Sequence, residues 1–305
     1  NFNANKIRNI MRKPDKKIKD ISLKDIKSYF KDERYKIKKF ALDYTTLAET
    51  IFTEMRPVFV VSTGRAGSEL LVNLLKASKI GAVYHEPTPK MILGAKLAFE
   101  LGENNIPAKR LGFLNARYDL IKKIYLEDKR YVETNNRITF FMDAINNIFP
   151  KAKFIHLIRH PGEFVRSGIR RNYYKGNEND DGRITPLKTD LVFSEWANMG
   201  DIEKIGWLWN TTNAMIESVK NSIGDDRIIT IKSSDLFTNP ETYQQICKFI
   251  NHVQLGEAKI KSIIKKPSNP QKQNEYPKWN DWNDENKQLL IKMTPLGKKY
   301  GFWNI

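Results

Sequence analysis

Two pairs of arginine and serine side chains in this sequence have the chemistry to bind phosphate or sulfate groups. Arg65 and Ser68 form the first pair, and Arg159 and Ser167 form the second. A guanidinium group is always charged and donates hydrogen bonds in a forked geometry that matches anionic oxygens, and a hydroxyl group adds one more donor. The types and spacing of these residues therefore predict two anion-binding sites.

The first pair lies between a predicted strand and a predicted helix. Residues 58–61 form a short, β-branched apolar run after Pro57, which favours a buried strand. Gly64 and Gly67 permit a tight turn and the close approach of a ligand. Leucines then recur at helical spacing at positions 70, 71, 74 and 75. A strand, a glycine loop and a helix N-terminus direct unpaired backbone N–H groups at one point, where an anion can bind.

The glycine loop alone does not define a function. An ordinary strand-to-helix turn with a surface arginine has the same pattern. A nucleotide-binding Walker loop needs a lysine directly before its hydroxyl residue to reach the terminal phosphates of ATP. Gly67 occupies that position before Ser68, which makes a nucleotide kinase the weaker interpretation.

The second pair follows the same pattern. Residues 154–158 are apolar except for His156, Arg159 stands at the end of this predicted strand, and Pro161 fits the first turn of a helix. Since Ser167 lies on that helix, we expect the Arg159 and Ser167 side chains to converge on one phosphate. Ligands of open parallel sheets bind beyond the carboxyl ends of the strands, where both pairs lie.

These two segments resemble the motifs of a known family. Residues 63–71 resemble the 5′-phosphosulfate loop of sulfotransferases that use 3′-phosphoadenosine 5′-phosphosulfate (PAPS), and residues 158–167 resemble their 3′-phosphate motif. The order and separation of the motifs fit as well, as do Glu86-Pro87, Trp207 and the ending Tyr300-Gly301. The resemblance extends from Pro57 to the C-terminus.

The resemblance implies a P-loop-like α/β sulfotransferase fold, PAPS as donor, 3′-phosphoadenosine 5′-phosphate (PAP) as product, and no metal. The Glu-Pro pair and the arginine in the loop look most like the carbohydrate sulfotransferases, so a glycan or glycolipid hydroxyl is the expected acceptor, with tyrosine residues and small metabolites left open. The implied donor-binding residues are Thr63, Gly64, Arg65, Ala66, Gly67, Ser68, Glu69, Arg159 and Ser167, with Lys266 as a further candidate.

Three residues depart from the common family pattern. Glu69 follows the loop serine where many members have a small or hydroxyl residue, and its carboxylate would repel a bound phosphosulfate. We therefore expect Glu69 to point away from the ligand and to complement the helix N-terminus. His160 replaces a common aspartate, and Arg65 stands where several subfamilies have lysine. These changes affect the expected roles of single residues more than they affect the expectation of PAPS-dependent sulfuryl transfer.

Sulfuryl transfer needs a general base for the attacking hydroxyl and donors for the leaving phosphate. Arg65 and the loop amides are placed for the leaving group. Glu86 is the catalytic base that the resemblance implies, and its neighbour His85 is the other plausible base. Adjacent residues of a strand point to opposite faces, so we expect only one of them to face the site, and we favour Glu86. Each could instead cap a neighbouring helix.

Strands alternating with helices predict one α/β domain with a central parallel sheet flanked by helices. We divide the chain into a basic helical N-terminal extension, residues 1–50, and a sulfotransferase-like domain, residues 51–305. Residues 174–195 are predicted to form a mobile loop. Further strands are predicted at 81–87, 130–134 and 227–231, and helices at 89–101, 117–127, 136–149, 201–223 and 240–250.

The net charge of +17 implies an anionic partner. PAPS, an acidic glycan or a nucleic acid would each fit. Zinc-ligand spacing, nucleic-acid fold motifs and repeated stacking aromatics are missing, so we do not expect a nucleic-acid partner. Much of the charge lies in residues 1–40, whose amphipathic spacing indicates helical segments that pack on the domain or mediate association as a homo-oligomer. For the charge run itself, a solvated face is favoured over polymer binding.

Cysteine content and hydropathy bear on the compartment. The single cysteine, Cys247, forms no internal disulfide, which fits a reducing compartment. Apolar runs are shorter than the roughly 18 residues of a membrane span. We therefore expect a cytoplasmic protein without a transmembrane segment. The start at Asn1 leaves open an anchor or a targeting segment before that residue.

Two other functions compete with sulfuryl transfer. A P-loop-like kinase would use the same scaffold but would need magnesium ligands and a loop lysine. An inactive sulfotransferase-fold module could bind anionic polymers, although an intact Glu86 argues against it. Four further residues could line the donor or acceptor site, namely Glu133, Asn135, Lys266 and Lys272.

Overall fold

The computed structural model describes residues 44–102, 105–177, 179–266 and 275–303. Most of the predicted N-terminal extension, and with it the predicted role of that extension in association, lies outside the described residues. Lys272 lies outside them too. The division of the chain at residue 50 stays a prediction. Within the described residues, no helix has both the length and the apolar composition needed to cross a membrane.

Five parallel strands form one sheet in the order β2-β3-β1-β4-β5. The strands are β1 Val58–Val61, β2 Ala82–His85, β3 Tyr131–Thr134, β4 Lys153–Ile158 and β5 Ile228–Lys232. The central strand β1 pairs with β4, with Val61 opposite His156. The loops that follow these two strands therefore leave the sheet side by side, which brings the two arginine and serine pairs to one edge.

Alternate residues of β1 enter two different hydrophobic cores. Phe59 and Val61 belong to the larger core, whereas Val58 and Val60 belong to the core on the other face. All four residues are buried, as expected for a parallel strand covered by helices on both faces. The continuous apolar run in the sequence is the direct consequence of this double burial.

Eleven helices are present among the described residues: α1 Tyr44–Glu54, α2 Ser68–Ala77, α3 Ile92–Glu100, α4 Ile106–Leu126, α5 Met142–Ile148, α6 Pro161–Ile169, α7 Asp201–Ile223, α8 Ser233–Thr238, α9 Pro240–Phe249, α10 Glu257–Ile264 and α11 Asp284–Met293. Helices α2, α9 and α10 cover the smaller core. Helices α4, α6 and α7 cover the larger core. Short 3₁₀ turns lie at Arg137–Phe141, Asp180–Gly182, Trp279–Asp281 and Pro295–Gly297.

The structure confirms the fold class and all five strands predicted from the sequence. Two predicted helices have different bounds. Helix α4 begins at Ile106, well before the predicted residue 117, with Pro107 in its first turn, where the missing N–H costs no hydrogen bond. The predicted helix over 136–149 is a 3₁₀ turn followed by α5, because the Thr139 hydroxyl bonds both the N–H and the carbonyl of Ser62 and holds this turn against the loop after β1.

The first part of the predicted mobile loop, residues 174–195, contains several internal hydrogen bonds. The half-buried Tyr174 donates a hydrogen bond to the Ile184 carbonyl at 2.8 Å. Asp180 pairs with Arg183 at 2.8 Å and accepts from the Gly176 N–H at 3.0 Å. The glycines and asparagines that suggested mobility form tight turns around Asp180.

Candidate active site

The loop after β1 has an unusual backbone conformation. Gly64, Arg65 and Gly67 all have positive φ angles, of 82°, 54° and 90°. A Cβ atom on Gly67 would lie 3.1 Å from the Phe237 ring, so the loop is also tightly packed. The N–H groups of residues 65–69 find no acceptor among the described residues. They form an anion-binding cradle at the N-terminus of α2.

Two hydroxyl groups fix this loop to the scaffold. Thr139 bonds both backbone polar groups of Ser62. The buried Ser233, at the start of α8, donates to the carbonyls of Ala66 at 2.7 Å and Ile158 at 3.1 Å. Ser233 thus ties the loop after β1 to the end of β4. The cradle is held in place before any ligand binds.

The Arg65 side chain has a buried hydrogen-bond donor that no described residue satisfies. Its Nε atom is buried and has no hydrogen-bond partner among the described residues. Its own carbonyl accepts from Arg159 Nη1 at 2.8 Å, which places the two arginines next to each other. An unpaired buried N–H is costly. An anionic oxygen bound in the cradle would satisfy it.

The second pair lines a cavity of about 240 Å³ together with the loop. Arg159 follows β4, and its carbonyl accepts from Trp209 Nε1 at 2.9 Å. Burial lowers the pKa of Arg159, and the nearby Arg65 and Arg166 lower it further, while Glu163 raises it. A guanidinium stays charged after such a shift. Arg159 and Ser167 line the same cavity, and their convergence on one bound anion stays a prediction. The residues of this smaller cavity are Arg65, Gly67, Ser68, Glu69, Leu70, Arg159, Arg166, Ser167, Arg170 and Phe237.

His160 explains how the second motif tolerates the loss of the common aspartate. Its Nδ1 accepts a hydrogen bond from the Gly162 N–H at 3.1 Å and caps helix α6. Burial lowers the pKa of His160 to about 4, so the ring is neutral at pH 7 and its Nδ1 lone pair is available. The ring also contacts Trp279, Phe302 and Trp303. Histidine performs the capping role of an aspartate here.

We expect His160 to make the protein sensitive to mild acid. Its pKa is about 4 in the folded state and 6.5 ordinarily. The unfolded chain therefore binds more protons between these values, and the free energy of unfolding falls as pH decreases from about 6.5 to about 4, by roughly 3 kcal/mol for this residue. His160→Asn keeps a capping oxygen but cannot titrate. Urea unfolding between pH 7 and pH 4 should show a flatter pH dependence for His160→Asn, and equal slopes would contradict this role.

A larger cavity of about 480 Å³ lies on the other side of the loop. His85 and Glu86, at the end of β2, both line it. The expectation that only one of them faces the site is wrong, because β2 ends at His85 and Glu86 adopts a left-handed conformation with φ of 44°. The alternation of strand residues does not extend past the end of the strand.

Glu86 and His85 have different partners. Glu86 Oε2 accepts from Arg137 Nη1 at 3.0 Å. His85 Nδ1 lies 2.7 Å from the Thr134 hydroxyl oxygen. Which of the two atoms donates in the 2.7 Å contact depends on the tautomer of the His85 ring. Both side chains are chemically able to take a proton.

The larger cavity is rich in arginines and amides. Its polar lining comprises Ser62, Thr63, Arg65, Ser68, Glu69, His85, Glu86, Asn136, Arg137, Arg171, Asn172, Tyr173, Asn177, Asn179, Arg183 and Thr212. Four arginines face two carboxylates. Arg65, Ser68 and Glu69 line both cavities, so these two spaces meet at the loop. Glu69 lies at this junction, and the expectation that its carboxylate points away from the ligand stays a prediction.

Other residues singled out in the sequence lie elsewhere. Glu133 and Asn135 are buried and bonded to internal partners, so they line neither cavity. Lys266 is exposed after α10 and lines neither cavity. Trp207 packs in the core against Phe99 and Trp196. The donor-site role of Lys266 stays a prediction.

Sequence reasoning missed several arginines of the two cavities. Arg166 lies on α6 directly before Ser167, and Arg170 is four residues further, so a helical projection of α6 would have placed these two side chains on one face. Arg171 follows directly. Arg137 and Arg183 had no such signal. They reach the larger cavity from 3₁₀ turns that the sequence did not predict.

Several solved structures are similar to this chain. Similar solved structures include a sulfotransferase of Mycobacterium avium, with 11% identity, a TM-score of 0.49, and 93% of this chain and 87% of that chain covered. A mouse sulfotransferase in complex with PAP has 13% identity and a TM-score of 0.48, covering 86% and 91%. The sulfotransferase domain of the Synechococcus PCC 7002 olefin synthase has 17% identity and a TM-score of 0.46, covering 83% and 97%.

Comparison with curated protein sequences finds no match. Residues 57–253 match the sequence model of a family described as the sulfotransferase family. The matched residues make up more than half of the chain and include both pairs of arginine and serine. The protein therefore belongs to the sulfotransferase family.

Proposed function

We propose that this sulfotransferase transfers a sulfuryl group from PAPS to a hydroxyl group, rather than an amine, of a carbohydrate acceptor. The observation that supports this best is the junction of two cavities at Arg65, Ser68 and Glu69. The smaller cavity has the cations for a donor phosphate, and the larger one has a base. A sulfuryl group that moves from a donor in the smaller cavity to an acceptor in the larger cavity would pass the loop after β1.

The donor would bind through both motifs. The N–H groups of residues 65–69 and the unpaired Nε of Arg65 suit the 5′-phosphosulfate. Arg159 and Ser167, with Arg166 and Arg170 beside them, suit the 3′-phosphate. Magnesium has no role in this proposal.

The transfer needs one base and a stabilised leaving group. The acceptor oxygen attacks sulfur as the bond from sulfur to the 5′-phosphate oxygen breaks, and the electron pair of that bond stays on the leaving phosphate. Glu86 takes the acceptor proton, and Arg65 with the loop amides stabilises the charge that develops on the phosphate. The ion pair with Arg137 keeps a Glu86 oxygen at the edge of the larger cavity.

The lining of the larger cavity favours a carbohydrate. Four asparagines contribute to it, Asn136, Asn172, Asn177 and Asn179. Each amide both donates and accepts hydrogen bonds, as sugar hydroxyls do. The arginines nearby would accommodate a sugar that also has a carboxylate or sulfate group. A phenol or steroid would instead call for an apolar cavity.

We expect PAP to stabilise the protein against thermal unfolding more than ADP, AMP, or ATP with magnesium at equal concentrations. Only PAP has the 3′-phosphate that Arg159 and Ser167 suit. At 100 times its Kd a ligand adds about 2.7 kcal/mol to the free energy of unfolding. Thermal shifts at two salt concentrations measure the selectivity, and the shift should shrink at high salt, where charges are screened.

The other outcomes identify the competing functions. A preference for ATP with magnesium would favour a kinase. Absence of a response to every nucleotide would favour an inactive module that binds anionic polymers. If PAP binds, transfer of labelled sulfate from PAPS to a panel of neutral and acidic glycans tests the acceptor class.

A further inference from the structure

A fully buried ion pair lies behind the larger cavity. Arg117 and Glu133 both have side chains that are 0% exposed, and Arg117 Nε lies 2.9 Å from Glu133 Oε2. Arg117 Nη2 donates to Glu133 Oε1 at 3.0 Å as well. Tyr131 and Asn135 each donate one further hydrogen bond to Glu133, at 2.6 Å and 2.9 Å. The carboxylate is thus fully bonded by protein groups.

Stability alone is a poor reason for such a pair. Removing two charges from water costs several kcal/mol per ion, and well-packed apolar residues of similar volume are often as stable or more so. Neither residue lies in the two motif segments, residues 63–71 and 158–167. The role of the Arg117–Glu133 pair is therefore better sought in the other groups to which these two residues are hydrogen-bonded.

Arg117 holds the segment that follows Glu86. Its Nη1 donates to the Pro89 carbonyl at 2.9 Å, and its Nη2 lies 3.3 Å from the Pro87 carbonyl. Glu86 itself has φ of 44°, a conformation that costs free energy for a residue with a side chain. Such a conformation persists only where neighbouring contacts determine it. The Arg117 guanidinium supplies two of these contacts.

A second branch from Glu133 reaches the Glu86 carboxylate. Asn135 donates to Glu133, and Asn135 Oδ1 accepts from the Arg137 N–H at 3.0 Å. Arg137 Nη1 then donates to Glu86 Oε2 at 3.0 Å. One buried carboxylate therefore fixes the backbone after Glu86 through Arg117, and the side-chain partner of Glu86 through Asn135.

We propose that Arg117, Glu133 and Asn135 form a positioning network for Glu86, which we call the Glu86 clamp. This inference rests on the proposed role of Glu86 as the general base. None of the three residues lines either cavity, so they act through Glu86 and Arg137 and not on the substrate. Their function is to aim one carboxylate oxygen at the acceptor hydroxyl.

Two variants each cut one branch of the clamp. Asn135→Ala removes the acceptor for the Arg137 N–H, and Arg117→Lys keeps the buried charge but loses the fork that reaches two carbonyls. We expect each to lower kcat by about 10- to 100-fold, the scale of a small misplacement of a catalytic group. The KM for PAPS and the affinity for PAP should stay unchanged. Thermal unfolding with PAP confirms that each variant is folded.

The same variants in a Glu86→Gln background separate positioning from general damage. If the clamp acts only through the Glu86 carboxylate, Asn135→Ala causes no further loss of kcat once that carboxylate is gone. A matched control is Lys109→Met, which breaks a second ion pair of α4, between the buried Lys109 and the partly exposed Asp143 at 2.7 Å. Lys109 lines neither cavity, so Lys109→Met should lower stability and leave kcat unchanged.

The outcomes distinguish the two proposals. Equal losses of kcat for Asn135→Ala with and without Glu86→Gln, or unchanged kcat in both single clamp variants, would overturn the clamp while the role of Glu86 stands. Normal turnover in Glu86→Gln alone would overturn the base and the clamp together. Absence of PAP binding to the unaltered protein would overturn the donor site.

Discussion

Glu86→Gln lowers kcat by about 10²- to 10⁴-fold, the usual contribution of a positioned general base. Glutamine has nearly the same shape and can still accept from Arg137, but it cannot take the acceptor proton. The donor site is built from other residues, so the affinity for PAP should stay the same. Steady-state kinetics with saturating PAPS and isothermal titration with PAP measure the two quantities separately.

His85→Asn is the matched control for Glu86→Gln, since both residues line the larger cavity. A neutral imidazole ring has one nitrogen that can accept a proton, so His85 is chemically able to act as the base. We expect His85→Asn to retain most of the activity. The reverse pattern, a normal rate in Glu86→Gln and loss in His85→Asn, would transfer the role of general base to His85.

Arg159→Ala should weaken the binding of PAP by about 1.5–3 kcal/mol, the scale of charge-assisted hydrogen bonds. Arg159 is the largely buried cation at the end of β4, and it faces the smaller cavity with Ser167. AMP lacks the 3′-phosphate, so its affinity should change much less. Isothermal titration measures the loss of binding free energy for PAP and for AMP. The difference between the two losses is the contribution of Arg159 to binding the 3′-phosphate.

Arg110→Ala is a control for the general effect of removing an arginine. Arg110 donates a hydrogen bond to Asn147 Oδ1 at 2.7 Å. It lines neither cavity. PAP affinity should be unaffected by this change. If Arg159→Ala weakens PAP and AMP equally, Arg159 acts by holding the Arg65 carbonyl, and the 3′-phosphate binds elsewhere.

The fold was predictable because its signals are local. The β-branched run at 58–61, the glycines after it and the leucines of α2 specify strand, turn and helix within twenty or so residues of chain. Residues 154–158 and Pro161 do the same for the second motif. Since parallel strands present their carboxyl ends at one edge, the meeting of the two motifs followed from the topology.

The acceptor side of the site was less predictable because contacts distant in sequence build it. Arg137 reaches Glu86 across 51 residues, and Thr139 reaches Ser62 across 77. Glu133 and Asn135 were singled out as polar residues near a strand end, but a sequence does not show that Arg117 would enclose them. In the sequence, a buried polar residue that supports the site looks the same as a polar residue that lines the cavity.

The loop shared by the two cavities also has a thermodynamic consequence. Because Arg65, Ser68 and Glu69 line both spaces, a ligand in one cavity changes the charge and the side-chain positions that a ligand in the other encounters. Binding of donor and acceptor is then linked, and linkage is reciprocal: whatever factor PAPS applies to the affinity for the acceptor, the acceptor must apply to the affinity for PAPS. If donor and acceptor bind as proposed, the size of this coupling depends on three side chains that line both cavities.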